Sequence, residues 1–155
     1  MEKIIIEPVE VLQEDGHDPS KLKEAVSLRA KSIKRVFKGS VETSKEKVER
    51  MQESFWVRKE IGIRPQERIL FGTKVYLRNN DMVSANVHTH FELAIAKGLR
   101  VHGSLPLLSE DNEILLLVHN DNGHLVKLTM EDDVAIMMFD MFMKVEHKTE
   151  ENETV

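Results

Sequence analysis

Four side chains in the middle of the chain are of the types that bind metal ions or transfer protons. His88 and His90 stand two residues apart in a segment that predicts a strand, so their side chains share a face. Glu92 and His102 follow shortly after them in the sequence. Two imidazoles and a carboxylate would suit Zn²⁺ or Fe²⁺. These residues form one candidate site, but the same spacing is typical of a half-exposed strand or a subunit contact, which is the interpretation we prefer.

The composition narrows the class of protein. A length of 155 residues suits one domain, and contents of 41% hydrophobic and 32% charged residues are ordinary for a soluble globular protein. The formal net charge of −5 gives no overall signature of nucleic-acid binding. Because the sequence contains no cysteine, disulfides, thiolate metal sites and a cysteine nucleophile are excluded.

The sequence also lacks the signals of a membrane or exported protein. No apolar run approaches the roughly 20 residues that span a bilayer. The acidic segment at residues 1–8 is too short for a signal peptide. We therefore expect a cytoplasmic protein without a membrane partner.

The first third of the chain predicts a strand followed by two helices. Residues 1–12 are rich in β-branched side chains, which indicates an N-terminal strand. Apolar residues at helical spacing predict a helix over 20–38. Thr43 and Glu46 form a capping box that predicts a second helix after it. Residues 18–57 are therefore expected to form an α-helical hairpin.

The predicted first helix is strongly basic and is followed by Gly39, which we interpret as its C-terminal cap. A basic helix can bind nucleic acid, an acidic protein or a membrane surface, and it can also be a solvated outer face. We prefer the last interpretation because no aromatic side chains alternate with the charges. The basic positions are Lys23, Arg29, Lys31, Lys34, Arg35 and Lys38.

From residue 58 to residue 145 the pattern changes to short apolar runs separated by turn-forming residues, which predicts a β domain. The clearest strand signals lie at residues 68–77, 113–119 and 134–143. The last of these runs is rich in Met and Phe, and we expect it to pack in the core or at a subunit interface. Residues 146–155 are polar and acidic, which predicts a disordered tail.

Four segments of this β region resemble characteristic motifs of the dUTPase superfamily, which includes the dCTP deaminases. Residues 62–73 are similar to the family pattern T-I-P-P-G-E-R-x-L-x-x-T. The coinciding positions are Pro65, Glu67, Arg68 and Thr73. Residues 89–99, 101–114 and 131–139 are similar to later family motifs, in the same order and at the same separations. The resemblance covers about half of the chain.

The resemblance implies a mainly β fold of the β-clip or jelly-roll type that assembles as a homotrimer. In the family, active sites lie between subunits and Mg²⁺ binds the triphosphate. A carboxylate acts as a general base and activates water to attack the α-phosphorus.

This chain departs from the family at the positions of the reactive groups. The pocket-equivalent positions are His90, Phe91, Glu92, Leu107, Glu110 and Asp133. Leu107 stands where the family has its water-activating Asp and cannot accept a proton. Glu92 and Asp133 place negative charge where the family has a Gly and an Arg, which would repel a triphosphate. The family's glycine-rich lid also has no counterpart near the C-terminal residues.

We therefore expect a non-catalytic, trimeric dUTPase-like protein that binds another protein and needs no cofactor. Its role would be accessory, regulatory or structural, of the kind that the resemblance suggests for phage-encoded proteins, and its location would then be the host-cell cytoplasm or the virion. One alternative is a nucleotide-binding or nucleotide-hydrolysing enzyme with a re-tooled site around His88, His90, Glu92 and His102, for which Mg²⁺ or Zn²⁺ would be the cofactor. A further alternative is nucleic-acid binding through the basic helix predicted at 20–38.

Overall fold

The computed structural model describes residues 2–10, 25–78, 85–103, 105–139 and 143–151. Within these ranges the chain is mainly β, which confirms the coarse prediction from the sequence. The strands are β1 (Glu2–Glu10), β2 (Ala25–Leu28), β3 (Ser32–Lys38), β4 (Val41–Glu42), β5 (Glu60–Ile63), β6 (Glu67–Leu77), β7 (Ala85–Thr89), β8 (Leu99–Val101), β9 (Leu107–Leu108), β10 (Glu113–Asn120), β11 (Val126–Thr129), β12 (Ala135–Phe139) and β13 (Met143–Glu151). The helical elements described are α1 (Lys45–Arg58) and a π-helical turn (Leu93–Lys97).

Strand β6 lies at the centre of the largest sheet, where its length allows it to pair with three other strands. One edge pairs antiparallel with β10, whose other edge pairs with β8 and β9. The opposite edge pairs antiparallel with β3 along residues 67–72 and parallel with β1 along residues 75–77. Every odd-numbered residue of β6 is buried, as expected for a strand with one face on the core.

Helix α1 packs its apolar side chains against this core. It begins after Ser44, whose Oγ accepts a hydrogen bond from the Lys47 backbone N–H at 3.4 Å. Val48 and Phe55 are buried, and the Phe55 ring lies 5.8 Å from the ring of Phe71 on β6. The smaller sheets, β2–β12–β7 and β11–β5, add further buried side chains to the same cluster.

The helical hairpin predicted for residues 18–57 is only half correct. The second helix is confirmed as α1, although its N-cap is Ser44 rather than Thr43. The prediction of the first helix is wrong, because residues 25–28 and 32–38 form strands. Residues 18–24 lie outside the described ranges. Gly39 does adopt the left-handed conformation expected of a cap, with a φ of 61°, but it turns the chain between β3 and β4.

The prediction of a disordered tail over residues 146–155 is also wrong for most of that segment. Strand β13 pairs antiparallel with β1 along its whole length, from the Glu2–Glu151 pair to the Glu10–Met143 pair. Ladder hydrogen bonds join one edge of β13 to β1, and Lys148 Nζ donates to Glu7 Oε2 at 2.8 Å across the two strands. Residues 152–155 lie outside the described ranges.

The strands predicted at residues 68–77 and 113–119 are confirmed as β6 and β10. The Met-rich run forms β12, in which Met137 and Phe139 are buried in the core, while residues 140–142 lie outside the described ranges. No helix among the described residues combines the length and the apolar character that crossing a membrane requires.

Candidate functional site

The pocket-equivalent positions fall on three connecting segments and one strand start. His90, Phe91 and Glu92 follow β7 directly, and the backbone N–H of His90 donates to the Val134 carbonyl at 2.9 Å. This bond holds the end of β7 beside the segment that contains Asp133. His90 Nδ1 accepts a hydrogen bond from the backbone N–H of Glu92 at 3.2 Å. The local geometry is therefore a capped turn that leads into the π-helical turn.

One carboxylate oxygen of the partly exposed Asp133 bonds to neighbouring side chains. Its Oδ1 accepts hydrogen bonds from Arg29 Nε at 3.0 Å and from Ser27 Oγ at 2.8 Å. These bonds, with the guanidinium charge of Arg29, hold the pKa of the Asp133 carboxyl below its usual range. The position where the resemblance places a nucleotide-binding Arg thus carries a carboxylate that links Ser27 of β2 and Arg29 to the residue before Val134 and β12.

The remaining pocket-equivalent positions are on the surface. Glu92 and Glu110 are exposed, and Glu110 lies in the turn between β9 and β10 beside Tyr76 and Lys34. Phe91 is 66% exposed and Leu107, the first residue of β9, is 43% exposed. These residues do not fit a magnesium–triphosphate complex, because two apolar side chains and two carboxylates supply no positive charge to bind phosphates.

Phe91 and Leu107 belong to a larger exposed group that we call the apolar edge. Its other members are Ile95, which is 74% exposed, and Leu105, which is 70% exposed. All four lie between residues 91 and 108, the segment that contains β8 and β9, and both strands pair with the outer edge of β10. Exposed apolar side chains along one border of a sheet form a surface that a protein partner can cover.

The histidines of the first candidate site make separate contacts. His88 is exposed on β7, whereas the His102 ring stacks on His119 of β10 with a centroid distance of 5.1 Å. Burial, then the nearby charges of Arg100 and His119, lower the pKa of His102. In the part of the chain that the structure describes, no three His, Asp or Glu side chains are placed to hold a metal ion.

The basic positions predicted for the first helix are mostly engaged in ion pairs across strands. Arg29 Nη1 lies 3.6 Å from Glu131, Lys34 Nζ lies 3.1 Å from Glu113, and Arg35 pairs with Glu42. Lys31 and Lys38 are also described, while Lys23 lies outside the described ranges. The prediction of a basic helix at 20–38 is therefore wrong, because Lys34, Arg35 and Lys38 lie on β3 and Arg29 and Lys31 lie in the segment between β2 and β3. Arg29, Lys34 and Arg35 are also neutralised by ion pairs.

Two grooves flank α1, and sequence reasoning identified neither. The larger, about 780 Å³, lies between α1 and the β3–β4 hairpin and is lined by Trp56, whose Nε1 donates to the Lys31 carbonyl at 3.1 Å.

The smaller groove, about 490 Å³, lies between α1 and the β5–β11 pair. We call it the cationic groove, and it is defined by Lys47, Arg50, Arg58, Arg64 and Lys127. The spacing of Lys47, Arg50 and Arg58 along a predicted helix was the signal available in the sequence.

No protein-family model matches this chain, and neither a curated protein nor a solved structure matches it. The resemblance to the dUTPase superfamily therefore stays a prediction that depends on the four sequence segments.

Proposed function

We propose that this chain is a non-catalytic, macromolecule-binding module on a dUTPase-like scaffold that assembles as a homotrimer. Its role is that of an accessory, regulatory or structural protein of the kind that phages encode. The observation that carries the proposal is the apolar edge, which places exposed Phe91 and Leu107 at positions where the family has reactive or phosphate-binding groups.

The apolar edge supports assembly because four large side chains there remain in contact with water in the single chain. Burying apolar surface contributes about 25 cal/mol per Å², so a partner that covers these side chains gains free energy from each. The residues lie beside β8 and β9 at the border of the main sheet. A second and a third copy of the chain would each present the same border.

The same positions argue against nucleotide hydrolysis. Loss of a general base alone typically lowers the rate by about 10²–10⁴-fold, and Leu107 cannot replace a carboxylate. Asp133 adds a negative charge that is held by Ser27 and Arg29. A triphosphate would meet repulsion where the family supplies cations.

Light scattering on the purified chain tests the assembly. We expect a mass three times that of the 17.9-kDa chain, and the double variant Phe91→Ser/Leu107→Ser should shift the mass toward that of one chain. Val41→Ser is the matched control, because Val41 is 68% exposed but lies on β4, outside the apolar edge. A monomeric wild-type protein would overturn the trimer.

A second measurement tests the absence of catalysis. Pyrophosphate release from dUTP with Mg²⁺ should stay at the uncatalysed rate, and nucleotides should leave the melting temperature unchanged, because a ligand of the folded state would raise it. Enzyme-like turnover would instead support the alternative of a re-tooled nucleotide enzyme.

A further inference from the structure

The cationic groove concentrates positive charge in a chain that is acidic overall. Five basic side chains line it, although the whole sequence carries a net charge of −5. Among the described residues, none of the five lies within ion-pair distance of a carboxylate. Arg29, which follows β2, and Lys34 and Arg35 on β3 do form such pairs. Five cations that form no ion pair with a described carboxylate, in one groove, produce a local positive potential that attracts anions.

The two carboxylates of the groove do little to reduce this charge. Glu67 is buried, and its Oε1 accepts a hydrogen bond from the backbone N–H of Arg64 at 3.2 Å, so it is part of the groove wall. Glu60 on β5 is the other acidic residue that lines the groove. Cations therefore outnumber carboxylates on the surface that a ligand would contact.

The charges are arranged in a line along one wall and face two more on the other. Lys47, Arg50 and Arg58 lie on one side of α1 and span about 16 Å, at 1.5 Å per residue. Lys127 on β11 and Arg64 after β5 form the opposite wall, where Lys127 pairs in register with Gly62. A line of separate cations suits an extended anion with repeated charges better than a single small anion.

The groove offers charge and hydroxyl groups rather than stacking surfaces. Thr43 and Ser54 contribute hydroxyls, and none of the residues that line the groove is aromatic. Met51 and Ile61, the apolar side chains of the lining, pack against the core. A surface of this kind can contact phosphates but has no aromatic side chain on which a base could stack.

From these observations we propose that the cationic groove binds the phosphate backbone of nucleic acid without reading its sequence. The inference rests on the proposed macromolecule-binding role, but it uses none of the residues of the apolar edge. It also uses none of the basic residues of the helix predicted at 20–38. The recognition would be electrostatic, so its affinity would depend steeply on salt concentration.

Fluorescence anisotropy with labelled mixed-sequence DNA, single-stranded and duplex, tests the proposal. With five phosphate contacts to a duplex we expect the logarithm of the binding constant to fall with the logarithm of salt concentration with a slope of about −4.5. The double variant Arg50→Gln/Arg58→Gln should reduce the slope to about −2.7 and weaken binding at low salt by tenfold or more. Glutamine is a good helix former, so α1 should be retained.

Lys45→Gln is the matched control, because it removes one charge from the same helix but Lys45 lines the other groove. The salt-dependence slope and the DNA affinity of Lys45→Gln should equal those of the wild type. Unchanged binding in the double variant, or tighter binding of polyglutamate than of DNA to the wild type, would overturn the proposal.

Light scattering on the same samples separates the two proposals. The groove variant should keep the mass of the wild type, so loss of DNA binding with an intact trimer supports the groove alone. If DNA binding is lost in Phe91→Ser/Leu107→Ser but not in Arg50→Gln/Arg58→Gln, the groove proposal fails while the apolar edge remains the binding surface.

Discussion

Glu113 on β10 and Lys34 on β3 form an ion pair across the intervening strand β6, with Glu113 Oε1 at 3.1 Å from Lys34 Nζ. Glu113 is only 2% exposed, and its Oε2 accepts a hydrogen bond from the backbone N–H of Lys74 at 3.0 Å. Lys74 has a φ of 57°, and the β10–β6 register shifts between Glu113 and Leu115. The carboxylate therefore fixes a β-bulge in the middle of the main sheet.

Replacing Glu113 with Ala should destabilise the fold by about 2–4 kcal/mol, because a buried donor and a cation lose their acceptor. Denaturant unfolding followed by the single Trp56 would measure the loss. Glu110→Ala removes the same side chain from an exposed position nearby and should change stability by less than about 0.5 kcal/mol. Equal effects of the two substitutions would contradict the role of Glu113.

Gly72→Ala should also be destabilising, by about 1–3 kcal/mol, because the added methyl group has no space. A Cβ at this position would lie 2.5 Å from Glu113 Oε2 and would press on Ser32 Oγ. Gly123→Ala is the control, since nothing lies within 4 Å of its added Cβ. The difference between the two melting temperatures measures the effect, and a Gly72 variant as stable as the Gly123 variant would refute it.

Tyr76 should titrate at unusually high pH. Burial, together with the negative charges of Glu113 and Asp111, raises the pKa of Tyr76 to about 12, above the usual value of about 10. Since it is the sole tyrosine of the sequence, absorbance near the tyrosinate band reports it directly.

The sign of the accompanying change in stability follows from the order of deprotonation. The unfolded chain loses the tyrosine proton first, so this residue lowers stability as the pH rises from about 10 to about 12. Glu113→Gln should lower the midpoint of the titration, because it removes a negative charge. A midpoint near 10 in the native wild-type protein would contradict the expectation.

His102 should titrate below about 6.5, the usual value for histidine. Burial lowers the pKa of His102, and the charge of Arg100 lowers it further. The unfolded chain takes up the proton first, so the contribution of His102 to stability is complete above about 6.5 and is lost as the pH falls below that value.

Imidazole NMR signals followed over pH would measure this midpoint. Arg100→Gln should move it upward, because it removes a positive charge. A midpoint at or above 6.5 in the wild type would show that the ring is more solvated than its position against His119 indicates.

The error over residues 25–38 has a specific physical origin in β3. A register shift between Ile33 and Arg35 places Ile33 and Val36 on the buried face at a spacing of three. That spacing imitates helical periodicity, which the basic residues around it reinforce. The sequence could predict the long strands β6 and β10 because apolar runs mark both, at residues 69–71 and 114–118. The register shift in β3 depends instead on its partner strand β6, which lies elsewhere in the sequence.

The sequence was also insufficient to locate the candidate surfaces. The apolar character of Phe91 and Leu107 was visible, but their exposure depends on β8 and β9 being the last strands at that border. The cationic groove combines α1 with Arg64 and Lys127, residues that are distant in the sequence. Charges that meet only through folding cannot be found from spacing within one segment.

The pairing of β1 with β13 has a kinetic consequence during biosynthesis. Ile5 lies opposite Lys148, so this ladder closes a loop that contains nearly the whole chain. Contacts at such large sequence separation carry a high entropic cost and are made slowly. During synthesis on the ribosome, the backbone groups on the edge of β1 that pairs with β13 therefore stay unpaired until β13 has emerged. We expect the nascent chain to be most prone to aggregation during that interval, because an unpaired β-branched strand is a template for other chains.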